Sequence, residues 1–209
     1  MSKILYISAT ILLFSLPGYS QQHADLSVQA VTAVNRTADN PAMGELHLSE
    51  CPNPGIAWLH HINFRKGTIS FEVKGKDVLQ RSFVGIAFQG VNDTTYDAVY
   101  FRPFNFRAQD PARKSHSVQY ISLPAYDWPK LREEHPNQYE QPIEPPPAPD
   151  DWFQVRIVVN SPTVQVFVNN QPTPSLQVQQ LSHHAGGKLG LWVGNNSAGN
   201  WRNLTITPE

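Results

Sequence analysis

Residues 67–75 read GTISFEVKG, and this stretch sets the reading of the fold. Ile69, Phe71 and Val73 fall on one side of an extended chain, and Ser70, Glu72 and Lys74 fall on the other. Successive side chains of an extended backbone point to opposite faces, so a period of two marks a half-buried strand. The pattern recurs in SFVGIAFQ (82–89) through Val84, Ile86 and Phe88, and in 96–102 through Val99 and Phe101. Further strands are expected at 117–122, 152–159, 163–168, 188–194 and 201–207, with 44–48 and 56–62 before them. Gly75-Lys76-Asp77, Asn92-Asp93, Asn169-Asn170 and Asn195-Asn196 supply turn chemistry between the runs. No segment carries a long apolar pattern of helical period. Many short strands separated by turns predict an all-β antiparallel sandwich, with a barrel the alternative this pattern leaves open.

The N-terminus reads differently. Lys3 is followed by an uncharged, largely apolar run, Ile4 to Leu16, and then by Pro17, Gly18, Tyr19 and Ser20. A basic start, an apolar run of roughly 7–15 residues and a small-residue exit describe a secretory leader. The run is short of the roughly 20 residues that span a bilayer. A signal peptide at 1–20 is therefore expected, with residues 21–209 as one exported domain, periplasmic or extracellular.

Bulk properties exclude several classes. The 209 residues carry a formal net charge of −1, so no basic field exists to hold nucleic acid. No second apolar segment could insert in a membrane. Cys51 is the only cysteine, so an apolar core and not an intrachain disulfide must hold the fold.

One region breaks the strand rhythm. Residues 122–151 hold Pro145 to Pro147 in succession, yet also Tyr126, Trp128 and Tyr139. Disordered segments are poor in aromatics, so an ordered loop folded over the sandwich is expected, with a helical turn near 129–134.

Alternation also sorts the second face of each strand. With the apolar positions inward, Glu72, Gly85, Ala87, Tyr100, Arg102, Gln119 and Trp192 turn outward, as do Trp58 and His60. Gly85 and Ala87 leave a shallow floor. Trp58, Tyr100 and Trp192 offer flat surfaces, while Arg102, Glu72, Gln119 and His60 offer donors and acceptors. Aromatic platforms with a few polar groups suit a sugar ring. Arg102 is the expected anchor, paired with Glu72, and Trp58 and Trp192 are the expected stacking surfaces. The competing reading is a second, smaller core covered by the long loop.

Other signals are weaker. His60-His61 and His183-His184 are adjacent pairs, and neighbours in a strand point apart, so no metal site is expected. Glu133, Glu134 and Glu140 could supply a catalytic acid, but solvated loop charges are commoner. No nucleophile motif and no glycine-rich phosphate loop occurs, and no cofactor is expected.

The series GTISFEVKG, SFVGIAFQ, YDAVYFRPFNF, HSVQYI, DWFQVRIVV, VQVFVNN and GKLGLWVG resembles bacterial secreted domains of the concanavalin A-like lectin/glucanase superfamily. The YFRPFN stretch (100–105), which contains Asn105, and VQY (118–120) are similar to a subgroup loosely related to the 3-keto-disaccharide hydrolase family. The resemblance implies a two-sheet jelly-roll sandwich whose concave face meets carbohydrate. Asn105 and Trp128 join the expected site. The E-x-D-x-x-E strand motif of laminarinase-like glucanases does not occur. The expected function is thus glycan recognition on the concave face. A glycoside hydrolase or 3-keto-disaccharide hydrolase-like enzyme is one alternative, and a structural or adhesive protein-binding module is another.

Overall fold

The computed structural model describes residues 20–209. The expected leader, apart from Ser20, lies outside the described residues.

The strands follow one another as β1 (Gln22–His23), β2 (Val31–Val34), β3 (Ala38–Asp39), β4 (Glu45–Leu48), β5 (Gly55–Phe64), β6 (Gly67–Lys74), β7 (Val84–Asn92) and β8 (Thr95–Phe101). Two helical turns come next, α1 (Pro103–Phe106) and α2 (Pro111–Lys114), then β9 (Val118–Leu123), α3 (Trp128–Glu134) and β10 (Glu140–Gln141). The chain ends on β11 (Phe153–Asn160), β12 (Thr163–Val168), β13 (Leu176–Gln179), β14 (Gly187–Val193) and β15 (Gly199–Pro208). Among the described residues these strands make two antiparallel sheets packed as a jelly-roll sandwich. One holds eight strands in the order β13-β12-β11-β6-β15-β4-β3, with β1 also on β15. The other holds seven, β10-β9-β8-β7-β14-β5-β2.

The period of two does its work between the sheets. Ile69, Phe71 and Val73 of β6 are fully or almost fully buried, as are Val84, Ile86 and Phe88 of β7. The rings of Phe101 on β8 and Phe153 on β11 meet across the gap, centroids 5.1 Å apart. Trp201 of β15 donates its indole N–H to the Gly85 carbonyl of the facing sheet (3.1 Å). Each such large apolar side chain contributes on the order of 1.5–3 kcal/mol by leaving water.

The outer face of the seven-stranded sheet is closed as well. Register places Glu140, Gln119, Tyr100, Gly85, Trp192 and Ile56 in one row across β10, β9, β8, β7, β14 and β5. Trp58 lies against two glycines, because a Cβ on Gly90 or Gly190 would fall within 2.5 or 2.7 Å of its ring. After β9 the chain turns back through a Ser122–Tyr126 bridge and runs into α3. Asp127 caps that helix by accepting from the Trp128 N–H (2.7 Å), and Leu131 is buried beneath it. This segment lies over the Tyr96 and Tyr100 part of the face, close enough for the Asp127 charge to act on both hydroxyls. Among the described residues no helix is long and apolar enough to cross a membrane.

Candidate functional site

Where β8 ends, Arg102 opens a cluster of charge at one end of the sandwich. Its guanidinium is 4% exposed. It donates to the His116 carbonyl (2.9 Å), the Tyr100 hydroxyl (2.8 Å) and Gln119 Oε1 (3.1 Å), and it lies over the Tyr100 ring at 4.9 Å. Burial pushes the Tyr100 hydroxyl up to about 12, so it stays neutral and free to accept. The carboxylate that balances this charge is Glu140, the first residue of β10. Its oxygens accept from Arg132 Nε and Nη2 of α3, both at 2.7 Å, and one lies 3.6 Å from Arg102. Such two-pronged pairing fixes the planar fork more firmly than a single contact would.

His116 completes the cluster. Its Nδ1 lies 2.8 Å from Glu140 Oε1, though off the line of a good hydrogen bond. Burial holds the imidazole below its ordinary value against the pull of Glu140, and Arg132 and Arg102 push the same way as burial. The ring is therefore neutral near pH 7. On the other flank, Arg113 of α2 donates to Asn105 Oδ1 (3.3 Å) and to the Phe104 carbonyl (2.7 Å).

These groups open into a cleft of about 560 Å³. Phe83, Phe104, Asn105 and His116 line it, Leu79 and Trp128 stand at its rim, and Arg102, Arg113 and Arg132 supply its charge. Trp128 is 42% exposed, and Arg132 lies over its ring at 4.7 Å. A second cleft, about 620 Å³, lies at the other end of β8 and is lined by Arg65, Gln89, Gln180 and His184 among others. Beside it Asp97 is wholly buried, accepting from Ser182 (2.7 Å) and Gln180 (2.9 Å), and burial pushes its carboxyl up.

The structure gathers some of the expected site residues and scatters others. Arg102, Asn105 and Trp128 line the first cleft, and Gln119 and Tyr100 are buried partners of Arg102. Glu72 does not. It sits on β6, in the other sheet, and pairs with Arg202 (2.6 Å) on the opposite outer face. Alternation sorts faces within a strand and says nothing of which sheet the strand joins, so the carboxylate of Arg102 is Glu140 instead. Trp58 and Trp192 are 4% and 5% exposed, so they are packing rings and not open stacking surfaces. Their indole N–H groups are taken by Asp93 Oδ1 (2.8 Å) and the Tyr96 hydroxyl (3.0 Å). The outer face of the seven-stranded sheet is thus filled, and the open space lies at its end. His60 is exposed near the far edge of the sheet, 2.9 Å from the Thr32 hydroxyl.

Arg113, Arg132 and His116 were not among the residues expected from sequence. A signal existed: residues 102–116 hold Arg102, Arg107, Arg113, Lys114 and His116 against Asp110 alone.

No curated protein matches the chain in sequence. Among solved structures, a carbohydrate-binding module, CBM66 of Bacillus subtilis, superposes with a TM-score of 0.62 at 12% identity, over 88% of this chain and 98% of that one. The Bacillus licheniformis β-glucanase gives 0.53 at 12% identity, over 93% and 94%. The exoplasmic/lumenal domain of VIP36, in its Ca2+/Man3GlcNAc-bound form, gives 0.55 at 8% identity, over 90% and 91%. At such identities the likeness is one of fold. The sequence itself is more specific: residues 34–207, from the end of β2 to the end of β15, match one domain family along their whole length, and the chain belongs to the 3-keto-alpha-glucoside-1,2-lyase-like domain family.

Proposed function

We propose that the chain recognises a glycan, and that the ligand enters the Arg102 cleft at the end of the roofed sheet. The observation that carries this reading is the meeting, in one cleft, of held guanidinium forks with the rings of Phe83, Phe104 and Trp128. A sugar offers a polar rim to the forks and an apolar ring face to the aromatics. The superposed carbohydrate-binding module and the mannoside-bound lumenal domain lend the reading support, as sandwiches of this fold whose names record sugar. Calorimetric titration of parent and Trp128→Ala with a panel of oligosaccharides tests it. The expected result is binding by the parent, weakened in the variant by about 0.5–1.5 kcal/mol as an aromatic contact is lost. A variant that binds like the parent would move the site elsewhere.

The pairing of His116 with Glu140 favours a second reading, in which the same cleft is catalytic. A 1,2-elimination from a 3-keto-glycoside removes the proton on carbon 2 and expels the group on carbon 1. The ketone acidifies that proton and gathers the developing negative charge on its oxygen. A neutral imidazole beside a carboxylate suits the base, and guanidinium donors suit the oxyanion. Incubation with a 3-keto-α-glucoside should then yield product with the parent and none with His116→Gln. If the parent leaves that substrate intact, the catalytic reading falls and recognition alone remains.

A further inference from the structure

The charges around the Arg102 cleft do not balance, and the imbalance speaks to the class of ligand. Arg102, Arg113 and Arg132 line the space, and no carboxylate does so among the described residues. Glu140 lies behind the lining and is shared between Arg132 and Arg102. Arg113 is held by neutral acceptors only, the Asn105 side chain and the Phe104 carbonyl. His116 adds no negative charge. The nearest helix-capping carboxylates, Asp110 and Asp127, accept from the backbone N–H groups of Ala112 and Trp128. At the lining itself three guanidinium groups stand against the one carboxylate bonded to them, while Asp110 and Asp127 keep their charges outside the lining, on a chain whose overall charge is −1. A cleft of one sign on a chain of the other concentrates ligands of opposite charge. Leu79 and Trp128, 56% and 42% exposed, stand at the same mouth.

Resting on the reading of this cleft as a glycan site, we propose that its ligand is an anionic saccharide. The charged group, a carboxylate or a sulfate ester, sits among Arg102, Arg113 and Arg132. The uncharged part lies against Leu79 and Trp128. Both anions, the planar carboxylate and the tetrahedral sulfate ester, present a pair of oxygens that a guanidinium fork can engage.

The test needs only matched pairs of probes on the parent protein. Short oligogalacturonates are titrated against their methyl esters, and short sulfated galactan oligomers against their desulfated forms, at low and at moderate salt. The charged member of at least one pair should bind about tenfold tighter, a gap of about 1.4 kcal/mol, and should weaken with salt while its neutral partner does not. The pair that shows the gap identifies the anion. Arg113→Gln should narrow that gap, and Arg113→Lys, which keeps the charge, should restore part of it. Equal binding within both pairs would overturn the anionic inference and leave the glycan reading standing. If no charged or neutral saccharide binds at all, both fall together.

Discussion

The two sheets turn opposite outer faces outward. The eight-stranded sheet shows Thr68, Ser70, Glu72 and Lys74 of β6 and Gln154 and Arg156 of β11, most of them partly exposed. The seven-stranded sheet shows Trp58, Ala87, Ala98, Tyr100 and Trp192, all buried in one cluster to which Leu131 and Tyr139 of the 124–139 segment also belong. The same strand period therefore yields an open polar face in one sheet and a second packed layer in the other. What decides is the chemistry of the alternate positions. Small residues and large rings together make a surface that water solvates poorly, and the chain covers it. The charged cleft lies at the end of that packed layer.

Trp192→Ala would break this contrast most severely. If the ring belongs to a packed layer, its loss should cost about 3–5 kcal/mol, read as a fall in melting temperature of roughly 10 °C or more. A melting curve like the parent's would mean the face is not a core. Glu140→Gln comes next. It leaves Arg102 and Arg132 without a counter-charge, and removing one partner of a buried pair costs about 3 kcal/mol or more. The melting curve should fall. Full stability in this variant would place the charge balance elsewhere.

Asp97 sharpens the contrast from the inner side of the same sheet, since it is buried without a cation. Its folded value lies above the ordinary 3.8. The folded chain thus holds a proton that the unfolded chain has already released. Stability is fully present below 3.8, declines as pH rises toward the raised value, and levels off above it. Melting temperatures measured across mildly acidic pH should show that decline in the parent. Asp97→Asn should flatten it, and an unchanged slope would assign the decline to another group. Smallest of all is Glu72→Gln, on the open face. Its pair with Arg202 is partly exposed, so about 0–1 kcal/mol is expected, with ligand binding unchanged. A loss of binding there would bring the polar face back as the site.

The strands were legible because alternation over six to ten residues is hard to produce otherwise: β6 and β12 lie within runs read from the pattern, and β7 begins in one and continues three residues past it to Asn92. β2 and β13, four residues each, were not read as strands, although β4 of the same length was. α1 and α2 hold four residues apiece and carry no helical period. The aromatic face was visible as a row, but two readings of it, open groove or second core, share one pattern. Only the position of the 124–139 segment separates them. The partner of Arg102 was invisible for a related reason. Glu140 stands 38 positions along the chain, on a two-residue strand, and is brought beside Gln119 by pairing across the sheet. Glu72 was nearer in pattern and lies in the wrong sheet.

The order of strands has a consequence for how the chain comes into being. β14 sits between β7 and β5, and β15 sits between β6 and β4, although both follow every other strand in sequence. The centre of each sheet is thus the last part to be made. Until those residues leave the ribosome, β5 and β7 lack the strand that joins them, and so do β4 and β6. Local pairing can form early, but neither layer can close, since long-range pairing must await its missing member. A chain built in this order remains an open polymer through most of its synthesis. That is the state in which a polypeptide can be threaded through a narrow pore.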